Sequence, residues 1–297
     1  MFPRKHFRLV LPSRTILLGE RTLIMGVLNV TPDSFSDGGR FLDPQAAAEH
    51  AVEMERAGAE IIDIGGESTR PGSIGISTKD ELDRVLPVLE KLRGKLTAPI
   101  SIDTSKFEVA EAAAAAGAEI LNDVTALRHD PRLAELARRR KMPLILMHMR
   151  GEPLTMQKSP FAKDVVRDVT SGLRKAVALA RKAGVARRQI IVDPGIGFGK
   201  SADQNLELIA HLPELARLGF PILVGTSRKS FLARVLGGAA GEVLSEDRIW
   251  ATAATVAAAI LQGAHIVRVH DVSEMARVAR VTDAVAAARF RPRGKSR

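Results

Sequence analysis

Eight short apolar runs alternate with helical stretches along the chain, and this alternation restricts the possible folds more than any other feature. The runs are rich in Ile, Val and Leu with little polar alternation, which is typical of parallel strands covered on both faces. The predicted strands are 22–29, 60–64, 99–103, 120–123, 143–148, 190–193, 221–225 and 266–269. The predicted helices are 44–57, 79–93, 105–116, 131–141, 161–183, 203–218, 246–262 and 272–288.

Several of these helices have the expected residues at their ends. At 43–44 and 130–131 an aspartate that can cap the helix precedes a proline at the first helical position. Three helices end in a glycine, at Gly58, Gly117 and Gly184, where glycine readily adopts the left-handed conformation. The helix boundaries are therefore predicted from capping as well as from apolar spacing.

The number of strand–helix units predicts one closed barrel. Eight units in 297 residues, with no linker rich in Pro, Gly and Ser, indicate a single-domain α/β protein, a (β/α)8 TIM barrel with its core at 7–288. The alternative is a doubly wound open sheet, which usually has a glycine-rich turn after its first strand. Here segment 29–39 follows that strand and has no G-x-G-x-x-G pattern. Residues 7–21 are predicted to form a hairpin that closes the barrel bottom.

The net charge of +10 first suggests a nucleic-acid partner, but the charge lies at the two ends of the chain. Residues 1–14 carry four cations and no acid, and residues 289–297 carry five and no acid. The rest of the chain is nearly neutral, and 4% aromatic residues with no Tyr offer little base stacking. We therefore predict solvated, flexible basic tails at 1–6 and 289–297 and no nucleic-acid partner, with binding of a nucleic acid or an anionic surface by the tails as the alternative.

Cysteine is absent, which excludes disulfides, thiolate metal sites and cysteine nucleophiles. No run approaches the roughly 18 consecutive apolar residues of a membrane helix, and no secretory signal is recognisable at the start of the sequence. These features lead us to expect a cytoplasmic protein with no membrane partner.

Polar residues collect at the carboxyl end of every predicted strand. They are Asn29, Glu67 to Gly72, Asp103, Asn122, Asp123, His148, Asp193, Ser227 to Ser230, Arg268 and His270. In barrels this face contains the active site, because the loops that follow the strands converge there. The sequence therefore predicts a binding site at the carboxyl face.

Two carboxylates indicate the kind of ligand. Asp103 and Asp193 end apolar strands, where an unpaired charge would be costly to bury. Each could cap the following helix, or each could accept paired hydrogen bonds from an amino-substituted ring edge. Asn122 can both donate and accept, which suits a heterocycle with both functions on one edge.

Cations after the last two strands predict a phosphate or diphosphate. The candidates are Ser227, Arg228, Lys229, Ser230, Arg268 and His270, with Arg70 from the second loop. Of the neighbours Arg228 and Lys229, we expect only one to enter the site. No His-x-x-x-His motif or dense carboxylate cluster is present, so we expect no preformed metal site. A diphosphate would bring Mg²⁺, with Asn29 as the single protein ligand.

Several segments, in order along 7–288, resemble the dihydropteroate synthase family. They are Met25-Gly-Val-Leu-Asn-Val-Thr-Pro-Asp-Ser-Phe-Ser-Asp-Gly-Gly39, Asp63-Ile-Gly-Gly-Glu-Ser-Thr-Arg-Pro-Gly72, Ser101-Ile-Asp-Thr-Ser-Lys106, Asn122-Asp123, Asp193-Pro-Gly-Ile-Gly-Phe-Gly-Lys200, Thr226-Ser-Arg-Lys-Ser230 and Arg268-Val-His-Asp-Val272. The resemblance implies a transferase of folate biosynthesis. It would join 6-hydroxymethyl-7,8-dihydropterin diphosphate to p-aminobenzoate, giving 7,8-dihydropteroate and diphosphate.

The resemblance also implies the roles of individual residues. Pterin diphosphate would be bound by Thr69, Asp103, Asn122, Met147, Asp193, Gly225, Lys229, Arg268, Val269 and His270, of which Asp103, Lys229, Arg268 and His270 would act in catalysis. p-Aminobenzoate, with which sulfonamides compete in the family, would be bordered by Thr69, Arg70, Pro71, Phe198 and Ser230. Asn29 would bind Mg²⁺. The loops at 31–39 and 67–77 would close over the substrates.

Departures from the family pattern are few, and two rival functions remain open. Phe161 stands where a tyrosine is common, and residues 237–242 are predicted to form a flexible excursion. A surface of small residues (Ala251, Ala254, Ala257 and Ala258) on the seventh barrel helix permits close helix approach, so we expect a homodimer through helices seven and eight, as in the family. The rivals are a non-catalytic pterin-binding paralogue and a corrinoid-linked methyltetrahydrofolate methyltransferase.

Overall fold

The computed structural model describes residues 3–31, 43–70, 72–152, 154–156, 162–237 and 245–289. Expectations for Pro71, Phe161, most of loop 31–39, residues 238–242 and the tail at 290–297 lie outside the described residues. Within them, no helix combines the length and apolar character needed to cross a membrane.

In the described residues, ten strands form two sheets. They are β1 (Phe7–Val10), β2 (Thr15–Leu18), β3 (Leu23–Asn29), β4 (Ile61–Gly65), β5 (Ile100–Asp103), β6 (Ile120–Asp123), β7 (Leu144–Met147), β8 (Ile190–Asp193), β9 (Leu223–Val224) and β10 (Ile266–Val269). Strands β3 to β10 form an eight-stranded sheet in the order β8-β7-β6-β5-β4-β3-β10-β9, and all its pairs are parallel. A parallel bridge between Val192 and Ile222 joins its two edges, so the predicted closed barrel is confirmed.

The predicted hairpin at 7–21 is also confirmed. Strands β1 and β2 pair antiparallel, from Phe7 with Leu18 to Val10 with Thr15. Hairpin and barrel share one buried cluster, made of Leu9, Leu11, Leu18, Leu23, Met25, Ile61, Ile120, Ile145, Ile191, Leu223 and Ile266. Most of these barrel residues lie near the start of their strands, so the hairpin closes the amino end of the barrel.

Side chains alternate between the two faces of a strand, and this alternation places polar groups in the barrel interior at the end opposite the hairpin. Successive strand residues point to opposite faces, so residues two apart face the same way. Ile61 of the bottom cluster is followed by Asp63, and Ile120 by Asn122. In the same way Ile191 is followed by Asp193, and Ile266 by Arg268. The barrel interior therefore changes from apolar at the amino end to polar at the carboxyl end.

Ten α-helices surround the barrel in the described part of the chain. They are α1 (Pro44–Ala57), α2 (Thr78–Leu92), α3 (Phe107–Ala115), α4 (Arg132–Arg140), α5 (Val165–Lys182), α6 (Ala202–Ala210), α7 (Leu212–Ala216), α8 (Ser230–Val235), α9 (Ser245–Leu261) and α10 (Val272–Arg289). A short 3-10 turn at Arg187–Gln189 precedes β8. A large buried cluster fills the space between the strands and these helices.

The helix ends follow the predicted chemistry with three corrections. The carboxylate of Asp43 accepts from the N–H groups of residues 45 and 46, as predicted, but α4 begins at Arg132 because Pro131 occupies the cap position. The predicted helix 203–218 is two helices separated at His211. Pro213 lies in the first turn of α7 and lacks the N–H that a continuous helix would need. Helix α8 was not predicted.

Arg4 contradicts the prediction of a solvated tail at 1–6. Its guanidinium pairs with Asp283 of α10, and it donates to the Thr22 hydroxyl at 2.7 Å. The Lys5 carbonyl contacts the His265 ring at 3.0 Å. The backbone at residues 4 and 5 is therefore attached to the barrel, and the charge of Arg4 is paired, whereas the Lys5 side chain is exposed.

Candidate active site

A cavity of about 450 Å³ opens at the carboxyl end of the barrel. Its volume lies within the range of roughly 300–1,000 Å³ that is usual for small-molecule sites. Of the predicted site residues, those that line it are Asn29, Thr69, Arg70, Asp103, Asn122, Met147, Asp193, Phe198, Gly225, Lys229, Ser230, Arg268 and His270. Val269 is fully buried in the core between strands and helices instead. The structure thus brings together residues that are distant in sequence.

Arg268 lies between two carboxylates on the cavity floor. Its Nε donates to Asp63 Oδ2 at 2.6 Å, and a terminal nitrogen donates to Asp103 Oδ2 at 2.8 Å. Burial opposes the charge of Arg268, but Asp63 and Asp103 raise its pKa on balance. The guanidinium is therefore held charged and in a fixed orientation.

Asp63 connects this cation to Asn122. Asp63 is fully buried, and its Oδ2 accepts from Asn122 Nδ2 at 3.0 Å as well as from Arg268. The Nδ2–H bond to Asp63 fixes the orientation of the Asn122 amide, so its Oδ1 can accept from a ligand and its second Nδ2–H can donate to one. The Asp63 carboxylate therefore orients two cavity residues at once.

Neither strand-end aspartate caps a helix, so the capping alternative is wrong for both. The N-cap of α3 is Lys106 and that of α6 is Ser201. Asp193 accepts from the Gly195 N–H at 2.7 Å, and burial raises its pKa to about 6 despite that bond and the nearby Lys229. Burial also raises the pKa of Asp103, which Arg268 opposes. Among the described residues, Asp103 Oδ1 has no hydrogen-bond partner, so this cavity residue can accept from a ligand.

Lys229 extends over an aromatic ring. Its Nζ lies 3.9 Å from the centroid of the Phe198 ring, within the range of a cation–π interaction. Burial lowers the pKa of Lys229 to about 8, and Arg268 adds to this effect while Asp193 opposes it. The low pKa shows that few protein groups solvate the Lys229 ammonium. An anionic or acceptor-rich ligand would therefore stabilise its charge strongly.

Ser227 and Asp271 orient the residues after β9 and β10. The Ser227 hydroxyl accepts from the His270 backbone N–H at 3.2 Å and lies 3.0 Å from the ring nitrogen Nδ1, so it contacts both the backbone and the ring of His270. Burial, with Arg228, Arg268, Lys229 and Arg70, lowers the pKa of His270 well below its usual value. Arg228 pairs with Asp271 at 2.6 Å. Both Arg228 and Lys229 line the cavity, but the Arg228 guanidinium is paired with Asp271, whereas the Lys229 ammonium lies over the Phe198 ring.

The second loop is attached to the barrel by a buried ion network. Lys106 Nζ donates to Glu67 Oε2 at 2.8 Å and to Glu81 Oε2 at 2.6 Å, and Glu81 is fully buried. The other oxygen of Glu67 accepts from the Ile76 N–H at 2.9 Å. These contacts hold the base of the loop that carries Thr69 and Arg70.

Comparison with known proteins identifies the family. The sequence profile described as pterin binding enzyme matches residues 25–270. Dihydropteroate synthase from a Synechocystis strain is 49% identical over 267 residues, which cover 90% of this chain and 91% of the relative. The chain belongs to the dihydropteroate synthase family.

Solved members of the family have the same structure. The Yersinia pestis dihydropteroate synthase, in a complex with a sulfonamide drug, has a TM-score of 0.88 and 40% identity, covering 95% of this chain and 100% of that one. The Xanthomonas albilineans dihydropteroate synthase, in complex with 7,8-dihydropteroate, has a TM-score of 0.82 and 39% identity, covering 94% and 99%. The family's barrel therefore extends over nearly the whole chain.

The described residues of the cavity fit Mg²⁺ only when a bound phosphate compound and water supply most of the ligands. Among the described residues, no three His, Cys, Asp or Glu side chains form a metal-binding group. Asn29 ends β3 and lines the cavity, and its amide oxygen is a hard donor suited to Mg²⁺. Mg²⁺ normally keeps several waters and takes other ligands from substrate phosphates, so one protein oxygen is compatible with it.

Two residues important to the site were not predicted from the sequence. Asp63 lies inside an apolar strand and not at its end. The sequence feature that could have identified it is an acid two residues after an inward-facing isoleucine. Lys200 ends the glycine-rich segment after β8, and a lysine that is only 2% exposed cannot be recognised from sequence composition. Asp63 contacts Arg268 and Lys200 contacts His148, each distant in sequence, and strand ends alone do not reveal such contacts.

Proposed function

We propose that this chain is a dihydropteroate synthase, which joins 6-hydroxymethyl-7,8-dihydropterin diphosphate to p-aminobenzoate and releases diphosphate. One observation carries the proposal: a single cavity contains acceptors for a pterin edge (Asp103, Asn122 and Asp193) beside the cations Lys229 and Arg268. Relatives that bear this name are 44–49% identical over about 90% of the chain, which supports the same chemistry.

The pterin ring is bound by the polar residues at the ends of β5, β6 and β8. The Asp193 carboxylate accepts from the amino-pyrimidinone edge, and Asn122 Oδ1 and Asp103 Oδ1 accept from ring N–H groups. Lys229 donates to the acceptor atoms of the ring. Met147 is buried beside the cavity and provides an apolar contact for the flat ring.

The diphosphate is bound at the ends of β3 and β10. Arg268 stabilises the negative charge that develops as the bond between the pterin methylene carbon and the diphosphate oxygen breaks. The lowered pKa of His270 keeps its ring neutral in the free protein, and with Nδ1 beside the Ser227 hydroxyl, Nε2 is the ring nitrogen that can contact the diphosphate. Mg²⁺ bound with Asn29 would supply further neutralisation of the leaving group.

The arylamine approaches from the second loop. Thr69, Arg70, Phe198 and Ser230 line that part of the cavity, where Arg70 can pair with the p-aminobenzoate carboxylate. The departing diphosphate leaves a positive charge on the pterin methylene, which the electron-rich dihydropterin ring shares. The arylamine nitrogen then forms the new C–N bond and loses one proton. An arylamine is already nucleophilic, so the reaction needs no strong base. The same site is proposed to bind sulfonamides.

Diphosphate release tests the proposal against both rivals. Purified protein mixed with both substrates and Mg²⁺ should release diphosphate and form dihydropteroate, and omission of p-aminobenzoate should abolish the condensation. A non-catalytic paralogue would bind pterin diphosphate in a calorimeter without product. A corrinoid-linked methyltransferase would bind methyltetrahydrofolate and give no diphosphate-dependent product.

We also propose that the protein is a homodimer through α9 and α10, which correspond to barrel helices seven and eight. The two helices pack on each other and expose Trp250 (72%) and Val281 (64%), apolar groups suited to burial in an interface. Ala254 is exposed on α9, whereas Ala251 and Ala258 pack on the core. Light scattering should report a dimer at micromolar concentration, and Trp250→Glu should shift it to a monomer. A wild-type monomer would refute the proposal.

The proposed compartment is the cytoplasm. A chain without cysteine forms no disulfides and so needs no oxidising compartment. Fractionation of cells that express the tagged chain should recover it with cytoplasmic markers, and recovery with membranes would contradict the proposal.

A further inference from the structure

Lys200 is a buried cation to which the proposed reaction assigns no role. It follows the loop 194–199 after β8, is 2% exposed, and is not among the residues that line the cavity. Burying an ammonium group is costly unless strong acceptors surround it. A lysine retained at such a position therefore has a specific set of partners.

Those partners are three backbone carbonyls. Nζ donates to Gly195 O at 2.8 Å, Phe198 O at 2.9 Å and His148 O at 3.1 Å. An ammonium has three N–H donors, so these bonds use its full capacity. Two acceptors lie in the loop after β8, and the third lies just after β7. Lys200 therefore connects the loop to the neighbouring strand end.

The loop lies directly against the chain that follows β7. A Cβ at Gly195 would overlap the His148 carbonyl oxygen, and one at Gly199 would overlap the Arg150 carbonyl oxygen. Both glycines have positive φ, of 66° and 67°. Only glycine permits this close approach in that conformation, and the Lys200 ammonium binds the His148 carbonyl at the first of the two contacts.

The opposite side of the same loop contacts Lys229. The Phe198 ring lies 3.9 Å below Lys229 Nζ. A Cβ at Gly197 would lie 3.0 Å from Lys229 Cδ, so the lysine stem rests on the loop backbone. The position of loop 194–199 therefore determines where the Lys229 ammonium lies in the cavity.

We infer that Lys200 is a positioning residue for pterin diphosphate binding: its ammonium fastens loop 194–199 to the end of β7 and so fixes Phe198 and Lys229 in their binding positions. This inference rests on the proposed function, because the ligand whose affinity it controls is the pterin substrate. Lys200 itself does not contact the substrate.

The charge of Lys200 has a second, measurable effect. Burial lowers the pKa of Lys200 to about 7, so the ammonium is charged near pH 6, where Asp193 titrates. Lys200 faces Asp193, Asp168, Arg150 and Lys229. Together with the Gly195 N–H, Lys229 and Arg268, it opposes the burial that raises the pKa of Asp193. Loss of that charge should raise the pKa of Asp193 further. The affinity for pterin diphosphate falls at low pH, and this decrease, the acid limb, should then begin at a higher pH. General loosening of the fold does not produce such a shift.

Steady-state kinetics of Lys200→Met, Lys200→Arg and Lys175→Met test the inference. Lys175 is exposed on α5, so its substitution is the matched control and should keep wild-type values. Lys200→Met should raise the KM for pterin diphosphate about ten-fold or more and move the acid limb upward. Lys200→Arg should raise the KM but keep the acid limb of the wild type, since it retains the charge. Folding is checked by circular dichroism and by the melting temperature.

A double-mutant cycle tests the route through Phe198. If Lys200 acts through the loop, the effects of Lys200→Met and Phe198→Ala on the affinity for pterin diphosphate should be strongly non-additive. Additive effects, or a folded Lys200→Met with wild-type KM and acid limb, overturn the inference. If Lys200→Met does not fold, Lys200→Arg decides, because a wild-type KM in that variant overturns it. Wild-type protein that releases no diphosphate refutes the proposed function instead.

Discussion

Arg268 and Asp63 form a buried ion pair in which the Arg268 Nε donates to Asp63 Oδ2 at 2.6 Å. Asp63 is fully buried, and the same oxygen accepts from Asn122. Asp63 therefore sets the positions of Arg268, which is proposed to bind the diphosphate, and of Asn122, which is proposed to bind the pterin. The value of the ion pair to the protein lies in this orientation, because a buried ion pair by itself adds little net stability.

Removal of the Asp63 carboxylate should be costly in two ways. Asp63→Ala leaves Arg268 without its Nε acceptor but keeps its bond to Asp103, so the cost should be at the lower end of the roughly 3–5 kcal/mol for breaking a buried pair. Urea denaturation should therefore show a loss of that order in the free energy of unfolding. The milder Asp63→Asn keeps an acceptor oxygen and should retain the fold while raising the KM for pterin diphosphate about ten-fold. A wild-type KM in Asp63→Asn would show that the pair has no orienting role.

The pKa of Asp193 gives a pH dependence with a defined sign. Folding raises this pKa from its ordinary value of 3.8 to about 6, so the folded state holds the proton more tightly. The penalty of the buried charge is absent below about pH 4 and complete above about pH 6. Asp193→Asn should therefore stabilise the ligand-free protein by up to about 3 kcal/mol at pH 8, and the gain should disappear near pH 4. Urea melts at both pH values measure this.

The same residue should be needed for binding. Wild-type affinity for pterin diphosphate should fall as the pH decreases through about 6, because protonated Asp193 no longer accepts paired hydrogen bonds. Calorimetry should show that Asp193→Ala weakens binding severely, by about 10- to 100-fold. Affinity equal to that of the wild type would exclude Asp193 from the pterin site.

The fold and much of the site could be predicted from the sequence because both depend on local patterns. Buried parallel strands require continuous apolar runs, and the polar residue that ends each run marks the carboxyl face, as Asp193 and Asn122 do. Details that depend on single residues were harder to predict from the sequence. The break between α6 and α7 arises from Pro213, and the six residues of α8 are too few to show an apolar period.

Residues that act through others were also hidden from the sequence. The role of Asp63 depends on Arg268, which lies 205 positions later in the chain. The three carbonyls around Lys200 come from two separate loops, and no sequence pattern records a backbone acceptor. The attachment of Arg4 likewise depends on Asp283 at the far end of the chain.

Lys229 should control the alkaline limb of activity. Burial lowers its pKa to about 8, so the free protein loses this charge as the pH rises through that value. The pH profile of kcat/KM for pterin diphosphate reports groups of the free enzyme and should fall above about pH 8. Lys229→Arg should move this limb to higher pH, whereas Lys229→Ala should weaken pterin diphosphate binding severely and remove the limb. An alkaline limb that is unchanged in Lys229→Arg would assign it to another group.

Asn29 should set the requirement for Mg²⁺ without creating a preformed metal site. Because the described residues include no group of three metal-binding side chains, calorimetry of the substrate-free protein with Mg²⁺ alone should show no tight binding. EDTA should abolish diphosphate release, and added Mg²⁺ should restore it. Asn29→Ala removes the one proposed protein ligand and should raise the Mg²⁺ concentration for half-maximal activity about ten-fold, with recovery at high Mg²⁺. A wild-type Mg²⁺ response in Asn29→Ala would show that the ion is bound by the substrate and water alone.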